Sequence, residues 1–189
     1  SGSFPAMSFR EALSLAEAIQ THGGGQPILR LTLFEALDKS PDSGPSRQWI
    51  TSSSQYGLTS GSYSANELAL TPLGKVASDP AAPEPERLTA QFKLAIESIS
   101  PFKAIYDRYA NNRLPGVGVL RDAAAAADVT EEHRAECVET FLANARELGL
   151  VRTIAGSERL MTLESTLGTT TSRDGIPQTT QVPTVTSAA

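Results

Sequence analysis

The chain has 189 residues and a mass of 20.0 kDa, which allows one ordinary domain or two small ones, and 40% hydrophobic residues suffice for a buried core. With 16 Lys and Arg against 21 Asp and Glu, the net charge is -5, which weakens any general attraction to nucleic acid. One cysteine, Cys137, and two histidines exclude an internal disulfide and a four-ligand zinc site built from these residues alone. No apolar run approaches the roughly 20 residues that span a bilayer. We therefore expect a cytoplasmic protein with no metal, no small-molecule cofactor and no membrane partner.

The first part of the chain predicts the element order of a winged helix-turn-helix. Residues 9–21 carry apolar side chains at helical spacing, with Ser8 as the N-cap. A short extended segment precedes a brief helix capped by Thr32, and a turn rich in Pro, Gly and Ser follows it. The next helix covers 45–56, and Gly57 is placed to form a left-handed cap at its end. This helix takes the position that contacts DNA in winged helices.

Two short strands then flank a glycine-bearing loop at 60–65, the candidate wing, and a helix begins after Thr71. Three prolines within 79–85 mark a boundary. The second half repeats the order, because its longest helix, opened by Thr130, ends at Leu148-Gly-Leu150 and leads into a hairpin. We predict a mainly α protein with short β-hairpins and two winged-helix-like units in tandem. The predicted parts are a tag or disordered segment at 1–7, a first winged-helix unit at 8–79, linker helices at 80–113, a second winged-helix-like unit at 114–164 and a disordered tail at 165–189.

Two stretches carry a resemblance to a known family. The first is Gly44-Pro-Ser-Arg-Gln-Trp-Ile, continued by Gln55-Tyr-Gly-Leu58 and Leu70-Thr-Pro-Leu-Gly74, and the second is Phe141 with Glu147-Leu-Gly-Leu150. Together they resemble an uncharacterised bacterial and archaeal family of tandem winged-helix proteins with a polar C-terminal linker. The resemblance implies an architecture and a role in regulation or protein assembly. It carries over no catalytic residue.

The helix at 45–56 is the candidate DNA-binding surface. On a helical wheel Trp49, Ile50, Ser53 and Tyr56 share the inner side. Arginine pairs with guanine, glutamine pairs with adenine, and hydroxyl groups donate to phosphate. A face of Ser, Thr and Gln is also common on ordinary solvated helices. The residues predicted to face a DNA groove are Arg47, Gln48, Thr51, Ser52 and Gln55.

Three other groups of residues are weaker candidates for a functional site. His133 and Cys137 lie four residues apart on a predicted helix, but the neighbouring glutamates disfavour a thiolate, so we interpret Cys137 as a core residue. The same glutamates would repel phosphate, which favours protein binding or self-association for the second unit. Basic residues interleaved with aromatic residues follow the first unit, and the aromatic spacing is that of a core. The basic residues are Lys93, Lys103, Arg108, Arg113 and Arg121.

The function expected from these patterns is that of a non-enzymatic DNA-binding or regulatory protein. Its first unit would contact double-stranded DNA, and its second unit would form a homodimer. The alternative is a protein-interaction scaffold whose winged helices do not bind nucleic acid. No acid/base pair, activated nucleophile or phosphate-binding loop is evident in the sequence, so we expect no enzyme and no catalytic residue.

Overall fold

Helix α1, Phe9–Gly23, begins the regular structure, and its caps are those that the sequence predicts. The Glu11 N–H donates to the Oγ of Ser8, and Gly24 ends the helix in a left-handed conformation with φ 61°. Six apolar residues of its inner face are buried, among them Leu15 and Ile19. The computed structural model describes residues 1–173, so the part of the predicted tail at 174–189 lies outside the described residues.

The first unit runs from α1 to α4. Its further elements are β1 (Ile28–Leu29), α2 (Arg30–Ala36), α3 (Gly44–Tyr56), β2 (Thr59–Ser60), β3 (Glu67–Leu70) and α4 (Pro72–Ser78). The strands form an antiparallel sheet in the order β1-β3-β2, with Ile28 opposite Leu68 and Thr59 opposite Leu70. This element order agrees with that predicted for the first unit, with α3 as the helix that precedes the two strands of the wing.

The second unit repeats this order. Helix α5 (Glu84–Phe92) and a π-helical turn (Lys93–Glu97) connect the two units. The elements that follow are α6 (Ser100–Tyr109), β4 (Asn112–Arg113), α7 (Val117–Ala126), a 3-10 turn (Glu131–His133), α8 (Arg134–Glu147), β5 (Val151–Ile154), β6 (Ser157–Leu160) and α9 (Leu163–Arg173). The strand order β4-β6-β5 corresponds to β1-β3-β2. The mainly α class with short antiparallel strands is therefore confirmed, and α8 corresponds to α3.

The structure differs from the predicted boundaries in four places. Helix α2 begins at Arg30 after Leu29, so Thr32 lies within the helix and is not its cap. Strand β4 pairs with β6, so α6 and β4 belong with the second unit, whereas the sequence placed them among the linker helices at 80–113. Residues 1–7 are not a disordered segment, since Pro5 is buried and the Phe4 and Phe102 ring centroids lie 5.9 Å apart. The disordered tail predicted from residue 165 is replaced by α9 as far as Arg173. In that helix Thr166 is buried, so packing outweighs a composition rich in Ser and Thr.

A buried amide joins the two units. Asn144 on α8 is 1% exposed, and its Oδ1 accepts from the Phe9 N–H at 2.8 Å. Its Nδ2 donates to the Tyr56 hydroxyl at 3.1 Å and to the Ala95 carbonyl at 3.2 Å. The Tyr56 hydroxyl in turn donates to the Met7 carbonyl at 2.7 Å. One side chain of the second unit therefore contacts α1, α3 and the π-helical turn.

None of the helices within residues 1–173 combines the length and the hydropathy that crossing a membrane requires. The apolar faces of the helices are buried in one hydrophobic core, which contains residues of both units.

Candidate nucleic-acid interface

Helix α3 is fixed to α1 and to the segment before it by three side-chain hydrogen bonds. The Trp49 indole N–H donates to the Glu11 carbonyl at 2.9 Å, and the Ser53 hydroxyl donates to the Ala12 carbonyl at 2.9 Å. Tyr56 adds its bond to Met7, and burial raises the pKa of its phenol well above the usual value. Ile50, Ser53 and Tyr56 are fully buried and Trp49 is half-buried, so the predicted inner face is confirmed.

The caps of α3 set its length. Ser43 is the N-cap and accepts from the Ser46 N–H, and Pro45 lies in the first turn, where its missing N–H costs no hydrogen bond. Gly57 ends the helix with φ 81°, a left-handed conformation that strongly favours glycine. The chain then turns directly into β2, which places the wing beside the exposed face of α3.

Four of the five predicted DNA-contacting residues lie on that exposed face. Arg47, Gln48, Thr51 and Gln55 are exposed, whereas Ser52 is 1% exposed. The outward placement of Ser52 is therefore wrong. Five residues after Arg47, it has rotated by about 140° and lies at the edge of the face, where a short side chain is covered by its neighbours. Ser52 is removed from the candidate interface.

The wing contacts α3 through one pair of side chains. The Arg47 guanidinium carbon lies 5.2 Å from the ring centroid of Tyr63, which is 43% exposed at the tip of the wing. Within cation–π range, this contact holds the arginine between helix and loop. At the base of the wing, the Arg30 Nε donates to the Ala65 carbonyl at 3.0 Å, and its Nη1 pairs with Asp42 at 3.3 Å. The face of α3 and the wing therefore form one continuous surface.

This surface carries little charge. Arg47 is the one charged residue of α3, and the wing at 61–66 contains none. Lys39 lies at the border, 6.0 Å from the Trp49 ring, while Glu67 begins β3 on the other side. Neither α3 nor the wing contains a carboxylate, but the surface is not a continuous positive strip.

The corresponding helix of the second unit presents acidic side chains. Glu136, Glu139 and Glu147 are exposed on α8. Arg146 is paired with Glu158 on β6 at 2.6 Å, and this ion pair lowers the pKa of the Glu158 carboxyl. A phosphate backbone would be repelled from the first half of α8.

The residues considered for catalysis are not arranged as an active site. Cys137 is fully buried, and burial raises the pKa of its thiol from 9.0 to about 12. His133 is exposed and contacts Glu132 at 3.6 Å and Glu136 at 3.8 Å. Among the described residues, no group of three or more His, Cys, Asp or Glu side chains is placed to hold a metal ion.

The basic residues that follow the first unit are dispersed. Lys103 is paired with Asp107, and Arg108 stacks on Tyr109 at 5.6 Å. The aromatic residues between them pack in the core, with the Phe92 and Tyr106 ring centroids 4.9 Å apart. Lys93, Arg113 and Arg121 are exposed on three different elements.

Sequence reasoning missed two arginines that the second sheet brings next to Arg113. Arg159 on β6 is opposite both Arg113 on β4 and Arg152 on β5. The predicted hairpin, with its turn at 155–158, places Arg152 opposite Met161. The structure has a shorter turn, which pairs Ile154 with Ser157 and so brings Arg152 opposite Arg159.

Comparisons with known proteins add no homologue. No protein-family model matches the sequence, and neither the curated proteins nor the solved structures compared with it gave a match. The resemblance to a tandem winged-helix family stays a prediction, and the functional inference depends on the geometry of the site.

Proposed function

We propose that this chain is a non-enzymatic, DNA-binding regulatory protein whose first unit contacts double-stranded DNA through α3 and its wing. The observation that carries the proposal is the Arg47–Tyr63 stack, which joins the exposed face of α3 to the wing. Gln48, Thr51 and Gln55 are exposed on the same face, and it holds no carboxylate. A surface of this shape and composition matches a helix in a major groove with a wing against the backbone.

Each side chain has a distinct role in this proposal. Arg47 would donate two hydrogen bonds to guanine, Gln48 and Gln55 would each pair with adenine, and Thr51 would donate to phosphate. Stacking on Tyr63 restricts the rotamers of Arg47 before DNA is bound. The entropy lost on binding is then smaller than for an unrestrained arginine.

A protein-interaction scaffold is the second candidate function, favoured by the low charge of the same surface. A single arginine neutralises few phosphates, and the chain as a whole has a net charge of -5. A face of Gln, Thr and Tyr is equally able to contact another protein, because tyrosine and arginine are enriched in protein interfaces.

For the second unit we propose self-association. The glutamates of α8 oppose DNA binding by that helix, and the unit exposes large apolar side chains elsewhere. Val117 and Val119 at the start of α7 are 48% and 46% exposed. Burial of such side chains against a second copy would stabilise a homodimer.

The DNA proposal is tested by the double variant Arg47→Ala with Gln48→Ala. Sequences enriched from a randomised duplex library by the wild-type protein serve as the probe, and binding is measured by fluorescence anisotropy at several salt concentrations. Each bidentate base contact contributes about 1–3 kcal/mol, so we expect the double variant to bind at least about tenfold more weakly, with a smaller salt dependence.

The matched control is Arg10→Ala with Gln26→Ala, which removes the same two residue types from exposed positions outside α3. It should bind as the wild type does. Equal affinities for the wild type and the α3 variant would remove α3 from the interface. A wild-type protein that enriches no duplex would leave the scaffold as the surviving proposal.

A further inference from the structure

The second sheet carries a row of three arginines on one face. Arg113 on β4, Arg159 on β6 and Arg152 on β5 occupy directly paired positions. Side chains at paired positions of an antiparallel sheet point to the same side. The side chains of the adjacent residue pairs point to the opposite face of the sheet, where Leu160 is fully buried. The arginine row therefore lies on the face of the sheet opposite Leu160, where Arg113 is exposed and Arg152 and Arg159 are half-buried.

The row lacks acidic partners within the described part of the chain. No carboxylate among the described side chains forms an ion pair with Arg113, Arg152 or Arg159. The contacts of the row are to neutral oxygens: Arg159 donates to the Asn111 carbonyl at 3.0 Å, and Arg152 donates to the Thr169 hydroxyl at 3.0 Å. Each guanidinium has five N–H donors, and these two bonds engage one donor of Arg159 and one of Arg152.

Placing like charges directly opposite each other destabilises a sheet. In this sheet Arg159 is directly opposite both Arg113 and Arg152, although the net charge of the protein is -5. Folding alone gives no reason for this arrangement, and an anion bound across the three strands would relieve the repulsion. Arginine also presents a planar fork of donors that matches an oxyanion better than an ammonium group does.

The dimensions of the row fit a phosphate backbone. Adjacent strands lie about 4.8 Å apart, so three strands place the guanidinium groups over roughly 10 Å. This length is comparable to a short stretch of the phosphate backbone of one DNA strand.

We propose that the arginine row is a second nucleic-acid contact, which binds backbone phosphates without reading bases. The choice of a nucleic acid over an acidic protein rests on the proposed function, because DNA is the anion assigned to α3. The row and α3 make different contributions. Base preference comes from α3, and a large share of the salt dependence comes from the row.

The triple variant Arg113→Gln, Arg152→Gln and Arg159→Gln tests the proposal. Its matched control is Arg10→Gln, Lys75→Gln and Lys93→Gln, which removes the same charge from exposed positions outside the second sheet. Binding to a duplex is measured by fluorescence anisotropy between about 50 and about 300 mM KCl. With about 0.9 ions released per phosphate contact, the slope of log K against log salt should fall by about 2 to 3 in the row variant. It should change little in the control.

A second variant separates charge from folding. Arg→Lys at the same three positions keeps the charge, so it should retain most of the salt slope, and circular dichroism checks that all variants fold alike. Equal slopes for the row variant and the control would overturn the proposal. So would loss of binding to poly-L-glutamate in the row variant with DNA binding unchanged, since this result would assign the row to an acidic protein.

Failure of this proposal is distinguishable from failure of the α3 interface. If the row variant lowers the salt slope while Arg47→Ala with Gln48→Ala changes neither affinity nor enriched sequence, the row stands and α3 falls. If the α3 variant alters the enriched sequence while the row variant behaves as its control does, α3 stands and the row falls.

Discussion

At the scale of single residues, Asn144 is a buried polar side chain of the second unit that forms hydrogen bonds to the first unit. Its amide satisfies a backbone N–H of α1, the hydroxyl of Tyr56 and a carbonyl of the π-helical turn, all away from solvent. Asn144→Ala would leave the buried Phe9 N–H without its acceptor and would remove a donor from the Tyr56 hydroxyl and from the Ala95 carbonyl. Each such loss costs about 1–3 kcal/mol, so we expect the free energy of unfolding to fall by about 2–4 kcal/mol.

Urea denaturation followed by circular dichroism measures this change. Asn112→Ala is the control, because the Asn112 side chain is exposed and bonds only a nearby carbonyl, Ala110, among the described residues. The control should stay within about 0.5 kcal/mol of the wild type. A similar small effect for Asn144→Ala would show that the amide is not required for the packing of the two units.

At the scale of elements, repulsion between the three arginines of the second sheet lowers the stability of that sheet. Arg159→Gln removes the central charge while keeping a donor for the Asn111 carbonyl. We expect it to raise the free energy of unfolding by about 0.2–1 kcal/mol at low salt, and by less at high salt, where the repulsion is screened. Arg121→Gln on α7, exposed and outside the sheet, is the control measured beside it. If Arg159→Gln had a lower free energy of unfolding than this control at low salt, the expected repulsion between the arginines would be contradicted.

The sequence predicted the elements whose signals are local. Ser8 and Gly57 were identified as caps because N-cap and left-handed cap residues act within one helical turn. Strand β4 has two residues, too few for an alternating pattern, so α6 and β4 were placed in the linker. The contacts of Asn144 reach residues 88 and 135 positions away, and no local pattern encodes such a distance.

The residues of the candidate site were likewise predictable only where the signal in the sequence is local. Helical periodicity placed Arg47, Gln48, Thr51 and Gln55 outward, but it could not place Ser52, whose burial depends on what packs beside the edge of α3. The stack of Arg47 on Tyr63 depends on the path of the wing, which the sequence does not define.

At the scale of the whole molecule, self-association of the second unit predicts a mass near twice 20.0 kDa by light scattering. The variant Val117→Glu with Val119→Glu places charges in the proposed contact and should give a monomer. The control is Leu29→Glu with Leu31→Glu, at exposed apolar positions of the first unit, and it should remain a dimer. A monomeric wild type at high protein concentration would remove the proposal.

The buried amide of Asn144 has a further consequence for recognition. It fixes α8 to α3, and the Arg146–Glu158 pair fixes α8 to the sheet that carries the arginine row. The two surfaces are thus presented at a separation determined by the folded core rather than by a flexible linker. If both proposed contacts are made, binding of one surface places the other near its target at a high effective concentration, but only on a nucleic acid whose own spacing matches. The protein would then measure the distance between two features of a nucleic acid, and selectivity would come from length as well as from base contacts.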